Sequence, residues 1–172
     1  EDYSNNSIAD VLKTITGVST ISTGSSIAKP QINGLHSSRV LLINNNVKME
    51  DHEWGIDHAP SIDINSIEKI SLIKGAGALK YGGSALGGVI ISETLKTKLV
   101  DSLYGKLYSS ASTNGKGGTI TTDITKTNTQ GWYTRFQGTF KRFGDYNTSN
   151  YIMSNTGLSE RNFSLKSGLN RV

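Results

Sequence analysis

Ile67-Glu68-Lys69-Ile70-Ser71-Leu72-Ile73-Lys74-Gly75-Ala76-Gly77-Ala78-Leu79-Lys80-Tyr81-Gly82-Gly83-Ser84-Ala85-Leu86-Gly87-Gly88-Val89-Ile90 is the stretch that decides the fold. Ile70, Leu72 and, out of phase, Ile73 describe a strand that stops at Lys74-Gly75. Six glycines follow within fourteen positions before the chain returns into Val89-Ile90-Ile91, so the spacing predicts strand, glycine loop, strand. A Walker phosphate loop requires Gly-Lys-Ser/Thr, whereas Lys80 is followed by Tyr81. A dinucleotide fingerprint requires a third glycine opening a helix; Gly75-Ala76-Gly77-Ala78-Leu79-Lys80 lacks it, and the residues after Gly88 are β-branched. Gly75, Gly82, Gly83, Gly87 and Gly88 are therefore expected to serve turns and close packing, with Tyr81 and Leu86 filling a core between them.

The order E-x-I-x-x-I-K-G, A-L-x-Y-G, A-L-G-G-V-I resembles the plug domain of TonB-dependent outer-membrane receptors. Upstream blocks agree in order. Ser7-Ile8-Ala9-Asp10-Val11-Leu12-Lys13 through Gly17-Val18 is similar to the first plug helix and the strand entry after it. Gln31-Ile32-Asn33-Gly34 stands where the family often has Ile-Arg-Gly, and Arg39-Val40-Leu41-Leu42-Ile43-Asn44-Asn45-Asn46-Val47 where it has a hydrophobic strand running into a turn. Trp54-Gly55-Ile56-Asp57-His58-Ala59-Pro60 resembles the loop that follows. Asn33 replaces an arginine and Asn45-Asn46 replace Asp-Gly, so charge pairing through those positions is not carried over. The resemblance covers about residues 1–94.

The second half has a different texture. From Leu103 the chain alternates with period two between turn clusters, with no helix-period segment. Trp132, Thr134, Phe136, Gly138 and Phe140 fall on one face, and Tyr133, Arg135, Gln137, Thr139 and Lys141 on the other. Leu103, Gly105, Leu107, Ser109 and Ala111 oppose Tyr104, Lys106, Tyr108 and Ser110; Ile120, Thr122 and Ile124 oppose Thr121, Asp123 and Thr125; Phe163, Leu165, Ser167 and Leu169 oppose Asn162, Ser164, Lys166 and Gly168. Such strands suit a barrel with one face in lipid and one in a wet lumen. A soluble antiparallel sheet with one buried face has the same alternation, and only the plug resemblance favours the membrane.

Composition narrows the remaining classes. No cysteine is present, which removes disulfides and thiolate metal sites. Val40-Leu41-Leu42-Ile43 is far shorter than the roughly twenty apolar residues of a membrane helix, so any membrane crossing is expected through strands. Residues 1–100 carry a net charge of −1 and residues 101–172 a net charge of +5. The basic residues alternate singly along strands instead of clustering with stacking aromatics, which argues against nucleic acid and fits lumen lining or contact with anionic lipopolysaccharide. No nucleophile, base and orienting partner form a motif, so an enzyme is not expected.

The expected organisation is an α+β plug, a small mixed sheet with short helices, over residues 1–98. About four antiparallel transmembrane strands of an incomplete large β-barrel follow over 99–172. Four strands cannot close around a plug, and plugged outer-membrane transporters use about 22, so the chain is expected to be a piece of a longer receptor. It opens on Glu1-Asp2-Tyr3 without a signal peptide, and is expected to be processed or truncated.

The resemblance implies uptake of a scarce nutrient, such as a ferric siderophore, haem or cobalamin, across the outer membrane of a Gram-negative bacterium. Energy would come from TonB with ExbB and ExbD through a TonB box upstream of the plug, not recognisable in this sequence. A plug-containing signalling or binding receptor that does not transport is the alternative. Ligand contacts are expected at the plug apex from His36 and Ser37 and from Asp51, His52, Glu53 and Trp54. A solvated loop histidine is the commoner state, so no metal site and no cofactor is assigned there. Lys74, at the family's basic position before glycine, and Glu68, six residues earlier, are expected on one strand face, each pairing with an opposite charge on the barrel wall.

Overall fold

The structure is a computed structural model that describes residues 7–23, 27–50, 60, 62–94 and 101–169. The chain falls into two compact units, Glu1–Leu95 and Lys96–Val172.

The first unit opens with helix α1 (Ile8–Leu12). Ser7 caps it: its Oγ accepts from the Asp10 amide at 3.1 Å while the Asp10 carboxylate accepts from the Ser7 amide at 3.2 Å. Two otherwise orphaned donors are thereby satisfied. The helix lays Ile8, Ala9 and Leu12 inward. Strands β1 (Val18–Thr23) and β2 (Ile27–Ile32) form an antiparallel hairpin. The Asn33-Gly34 pair then reverses the chain with φ of 48° and 82°, and Ile32 and Leu35 exchange amide bonds of 2.8 and 2.9 Å. Two successive positive φ values make this the tight turn for which Asn-Gly is suited, so Asn33 serves backbone geometry where the family often has a charge.

β3 (Val40–Asn44), β4 (Val47–Met49), β5 (Ile67–Ile73) and β6 (Gly88–Thr94) form a mixed sheet in the order β4-β3-β6-β5, with β3 and β6 parallel and the other pairs antiparallel. β3 is covered on both faces, which explains its unbroken apolar run. Val40 and Leu42 join Ile8, Leu12, Ile32 and Ile90 in one core, and Leu41 joins Ala78, Ala85 and Val89 in the other. Asn45 and Asn46 make the β3–β4 turn with φ of 48° and 67°. Asn45 also accepts from the Thr94 amide at 3.0 Å, tying the turn to the end of β6.

Between β5 and β6 the glycine-rich segment forms two 3₁₀ helices, Gly75–Tyr81 and Gly83–Ala85. Gly75, Gly82 and Gly88 have positive φ; Gly83 and Gly87 do not. Ala78 and Ala85 are the buried residues of this segment and Tyr81 packs beside them, but Leu86 is 53% exposed. The expectation that Leu86 fills the core is corrected: Ala78 and Ala85 are the loop residues that reach Leu41 and Val89 in the core, with Tyr81 packed against them.

The second unit is a four-stranded antiparallel meander in the order β12-β9-β8-β7, formed by β7 (Ser102–Ser112), β8 (Gly117–Thr127), β9 (Trp132–Phe143) and β12 (Leu158–Leu169). The tiny hairpin of β10 (Tyr146–Asn147) and β11 (Ile152–Met153) projects from the β9–β12 connection. β7 and β12 are the two edges of this sheet, so it is a segment of a barrel wall rather than a closed barrel.

Candidate functional site

One end of the plug sheet gathers most of the described residues that the sequence singled out. β3 and β6 begin there side by side, Val40 opposite Gly88, and β5 finishes there with Ile73 opposite Val89. His36 is extended, and Ser37 opens the short 3₁₀ turn Ser37–Arg39 with φ of 53°; the two side chains are 3.0 Å apart, His36 Nδ1 to Ser37 Oγ. This turn packs on the second glycine loop. The Gly87 amide donates to the Arg39 carbonyl at 2.7 Å, and a Cβ at Gly87 would lie 3.0 Å from both that carbonyl oxygen and Leu35 Cβ. Gly87 is thus required by close approach, not by its φ.

The loop pair displays apolar side chains. Leu35, Leu79 and Leu86 are all exposed, and Lys80 Nζ lies 5.0 Å from the centre of the Tyr81 ring, in the range of a cation–π contact. Leu86 was missed as a candidate contact because it read as core, and Leu79 carried no signal of its own in the sequence. An anion cradle is not built here. The amides of Gly82, Ala85 and Gly87 donate to the carbonyls of Leu79, Gly82 and Arg39 at 3.1, 3.1 and 2.7 Å, leaving none of these three aimed at a phosphate.

Asp51, His52, Glu53 and Trp54 lie outside the described residues, so the joint apex with His36 and Ser37 has no geometry to report. Glu50, just before them, receives Lys48 Nζ at 2.8 Å. That hydrogen bond and the ammonium charge hold its carboxyl below the usual range. No group of three or more metal-ligating side chains occurs among the described residues.

Lys74 Nζ donates to the Thr16 carbonyl at 2.6 Å, so part of its bonding capacity holds the α1–β1 connection against the end of β5. The pairing register of β5 shifts between Ile67 and Lys69. The bulge interrupts the alternation at Glu68, so even spacing alone does not set Glu68 and Lys74 on one face. They also stand at opposite ends of the sheet: Ile67 lies opposite Thr94 at the finish of β6, while Lys74 follows Ile73 near its start.

The strand unit sorts its side chains the other way round. On β9, Trp132, Thr134, Phe136 and Phe140 are exposed while Arg135, Gln137, Thr139 and Lys141 are buried, with Phe136 at 42% and Gln137 at 4%. Leu103, Leu107, Ile120, Ile124, Phe163, Leu165 and Leu169 are likewise exposed. Register aligns them in rows, Leu165-Phe136-Ile124 and Phe163-Gly138-Thr122-Leu107, with Phe163 and Phe140 edge to face at 5.2 Å. The inward polar groups are paired. Arg135 Nε lies 3.0 Å from both Asp123 carboxylate oxygens and a second guanidinium nitrogen also contacts Oδ2. Lys141 meets Glu160 at 3.7 Å, and the Thr121 and Thr139 hydroxyls are 3.1 Å apart. A soluble sheet would bury the leucines and phenylalanines and expose the arginine and lysine.

Comparison with known proteins agrees with both halves. The family model of the TonB-dependent receptor plug domain matches residues 1–89. The vitamin B12 transporter BtuB of Photobacterium profundum is 35% identical over 85 residues, 49% of this chain and 14% of that protein. Its namesake from Vibrio vulnificus is 33% identical over 94 residues, 52% of this chain and 15% of that protein. The chain therefore spans about one seventh of the length of these relatives. Among solved structures, the copper transporter OprC superposes over 94% of this chain and 25% of its own, with a TM-score of 0.76 and 23% identity. The FrpB iron transporter from Neisseria meningitidis (F3-3 variant) superposes over 94% of this chain and 26% of its own, with a TM-score of 0.70 and 16% identity. At that identity these two speak for the fold alone, which includes the strands beyond the plug. With the plug model matching more than half of the chain, and with barrel-type strands after it, the chain belongs to the TonB-dependent receptor family.

Proposed function

We propose that this chain is the plug and the first wall strands of a ligand-gated active transporter in the outer membrane of a Gram-negative bacterium. One observation carries the reading: residues 101–169 bury threonine, glutamine, arginine and lysine and expose leucine, isoleucine and phenylalanine. That distribution is stable where the outer face meets hydrocarbon and the inner face meets a polar lumen. The domain limits we assign are 1–98 for the plug and 99–172 for the strands. A filled lumen stops free diffusion, so a scarce ligand has to be bound at the outer face and released inward by rearrangement of the plug. The energy source we infer is TonB with ExbB and ExbD. Cobalamin, copper and iron, named in the relatives above, together with ferric siderophores and haem, define the ligand class to test.

His36, Ser37, Asp51, His52, Glu53 and Trp54 are our candidates for the apical contacts, and the exposed Leu35, Leu79 and Leu86 are added to them. Lys74 and Glu68 remain candidates for pairing with charges on the barrel wall, Lys74 with the donor capacity left after Thr16. The test is uptake in cells that carry the full-length receptor as their only route for a candidate ligand. Deleting the receptor, or TonB, should each abolish uptake of one ligand. Uptake of every ligand unchanged by the receptor deletion would overturn transport, and binding without uptake would favour the signalling alternative.

A further inference from the structure

Two aromatic–glycine pairs join β9 to β12, one on each face of the wall. Outward, Phe163 of β12 lies opposite Gly138 of β9. An added Cβ at Gly138 would meet that ring at 3.4 and 3.5 Å, ordinary contact, and the ring also stands edge to face with Phe140. Inward, Tyr133 of β9 lies opposite Gly168 of β12. There an added Cβ would come 2.9 Å from Tyr133 Cε1 and from its phenol oxygen, and 3.0 Å from Cζ. The far end of the ring covers Gly168, so the side chain has crossed from β9 onto β12. Gly168 is not among the glycines of positive φ; room for the ring, not backbone conformation, requires a glycine there. A ring laid over a cross-strand glycine supplies the packing that the missing side chain omits and pins the register of the pair.

The two pairs differ in what they leave open. Phe163 leans back from the edge strand into the sheet, onto Gly138 and Phe140. Tyr133 leans the other way. β12 is an edge of the sheet, and the next position across, about 4.8 Å further on, belongs to no described strand. Tyr133 is half-buried and its hydroxyl reaches this edge without a hydrogen-bond partner among the described residues, although the carbonyl of the same residue accepts from Ser167 Oγ at 3.1 Å. A phenol hydroxyl withdrawn from water is normally bonded. The position along the strand matters too. Gly168 stands one residue before the end of β12, at the end of the wall where β8 and β9 are joined by residues 128–131 alone. Outer-membrane barrels keep their short turns on the periplasmic side, so a strand following β12 starts across a short turn and brings its first inward residues beside Gly168.

We propose that Tyr133 docks on the wall strand that follows β12, its hydroxyl hydrogen-bonded to an inward polar side chain among that strand's first residues, so that one side chain ties three strands in register. A slip of one residue would turn the apolar face of the new strand into the lumen, and the tie opposes that slip at the turn where pairing begins. The inference rests on the membrane reading above, in which the wall continues past β12, and on the relatives, of whose length this chain matches 14% and 15%.

The test uses the full-length receptor with p-azidophenylalanine in place of Tyr133, which sets the azide where the hydroxyl stands. After insertion in the outer membrane and illumination, cross-linked peptides are mapped by mass spectrometry. Cross-links should join position 133 to the first wall strand after β12, and adding G168A, which displaces the ring, should lower their yield several-fold. The polar partner so identified is then replaced by alanine in wild-type and Y133F receptors. Each single change should shift the urea unfolding equilibrium about fivefold, as for one net hydrogen bond, and the double change no further than either alone. Cross-links confined to residues 7–94, cross-links to a distant strand, no cross-link, or additive effects of the two changes would each overturn the proposal. If the azide receptor does not assemble, nitration of the wild type decides: Tyr133 should react much more slowly than the exposed Tyr151, and equal rates refute the contact. A wild-type receptor missing from the outer-membrane fraction refutes the membrane reading and this contact together, whereas a correctly inserted receptor that cross-links elsewhere refutes the contact alone.

Discussion

The plug unit and the strand unit bury opposite kinds of residue. Inside the plug lie Ile8, Leu12, Ile32, Val40, Leu42 and Ile90, with Lys29 and Ser92 the only buried polar side chains among its described residues. In the strand unit every buried side chain among the described residues is polar or charged, and the leucines, isoleucines and phenylalanines at the centre of the outward face are exposed. On the proposed membrane reading, one chain with two opposite sortings meets two solvents. Water and a dry core account for the plug; hydrocarbon outside and a polar interior account for the strands. The hydrophobic effect acts in both units, but in the second the apolar phase lies outside the protein.

The largest effect is expected from the inward pair. Arg135→Ala removes the buried member of the pair, strips the partly buried Asp123 carboxylate of its partner, and should cost up to about 3–5 kcal/mol, read as loss of the folded, heat-modifiable receptor on gels. Replacing both by uncharged residues of similar size should recover much of it. Next, Phe136→Arg puts a cation in the middle of the outward band, where about 2–4 kcal/mol is the cost at a bilayer midplane. Outer-membrane abundance should fall, while the same change on a water-exposed face would be neutral, so unchanged abundance would break the comparison.

Within the plug, Gly88 has φ of 140° and an added Cβ would come 2.8 Å from the Ile73 carbonyl, whereas Gly83 has open space and ordinary φ. Gly88→Ala should lose roughly 1–2 kcal/mol or more and Gly83→Ala almost nothing, measured as the plug's resistance to proteolysis. The smallest effect concerns α1. Burial alone would raise the Asp10 pKa, but hydrogen bonds from Lys13 and Ser7 prevail and hold it below the usual value. A depressed carboxyl stabilises the fold above its unfolded pKa of about 3.9 and loses that contribution as pH falls through the folded value. Ser7→Ala should weaken α1 by about 1 kcal/mol. The Asp10→Ala deficit, seen in amide exchange of residues 8–12, should be present at neutral pH and fade below about pH 4.

The strands were legible because a period of two survives any reading of what surrounds it, and each wall strand contains the alternating residues that the sequence assigned to it. Which face was buried was not legible from the alternation alone, since Thr, Gln and Arg alternate with Phe and Leu identically in both environments, and only the plug resemblance turned the apolar face outward. The two-sided burial of Val40 through Ile43 was visible as an apolar run. The Asn33-Gly34 turn carried its own signal, an Asn-Gly pair, but the family comparison drew attention to a missing arginine instead. Two features lay beyond local pattern. The bulge at Glu68 depends on how β5 pairs with β6, and the exposure of Leu86 depends on the closeness of the loop to Arg39 and Val40.

The inversion itself is tested most directly by where alternate residues of β9 reside. The chain contains no cysteine, so single cysteines at positions 134 to 141 can be spin-labelled cleanly in the full-length receptor reconstituted in bilayers. Collision with oxygen, which concentrates in lipid, should be high at 134, 136, 138 and 140 and low at 135, 137, 139 and 141, with collision by a water-soluble nickel chelate low at the first set. High nickel accessibility at 136 and 140, or no alternation, would contradict a membrane-facing wall.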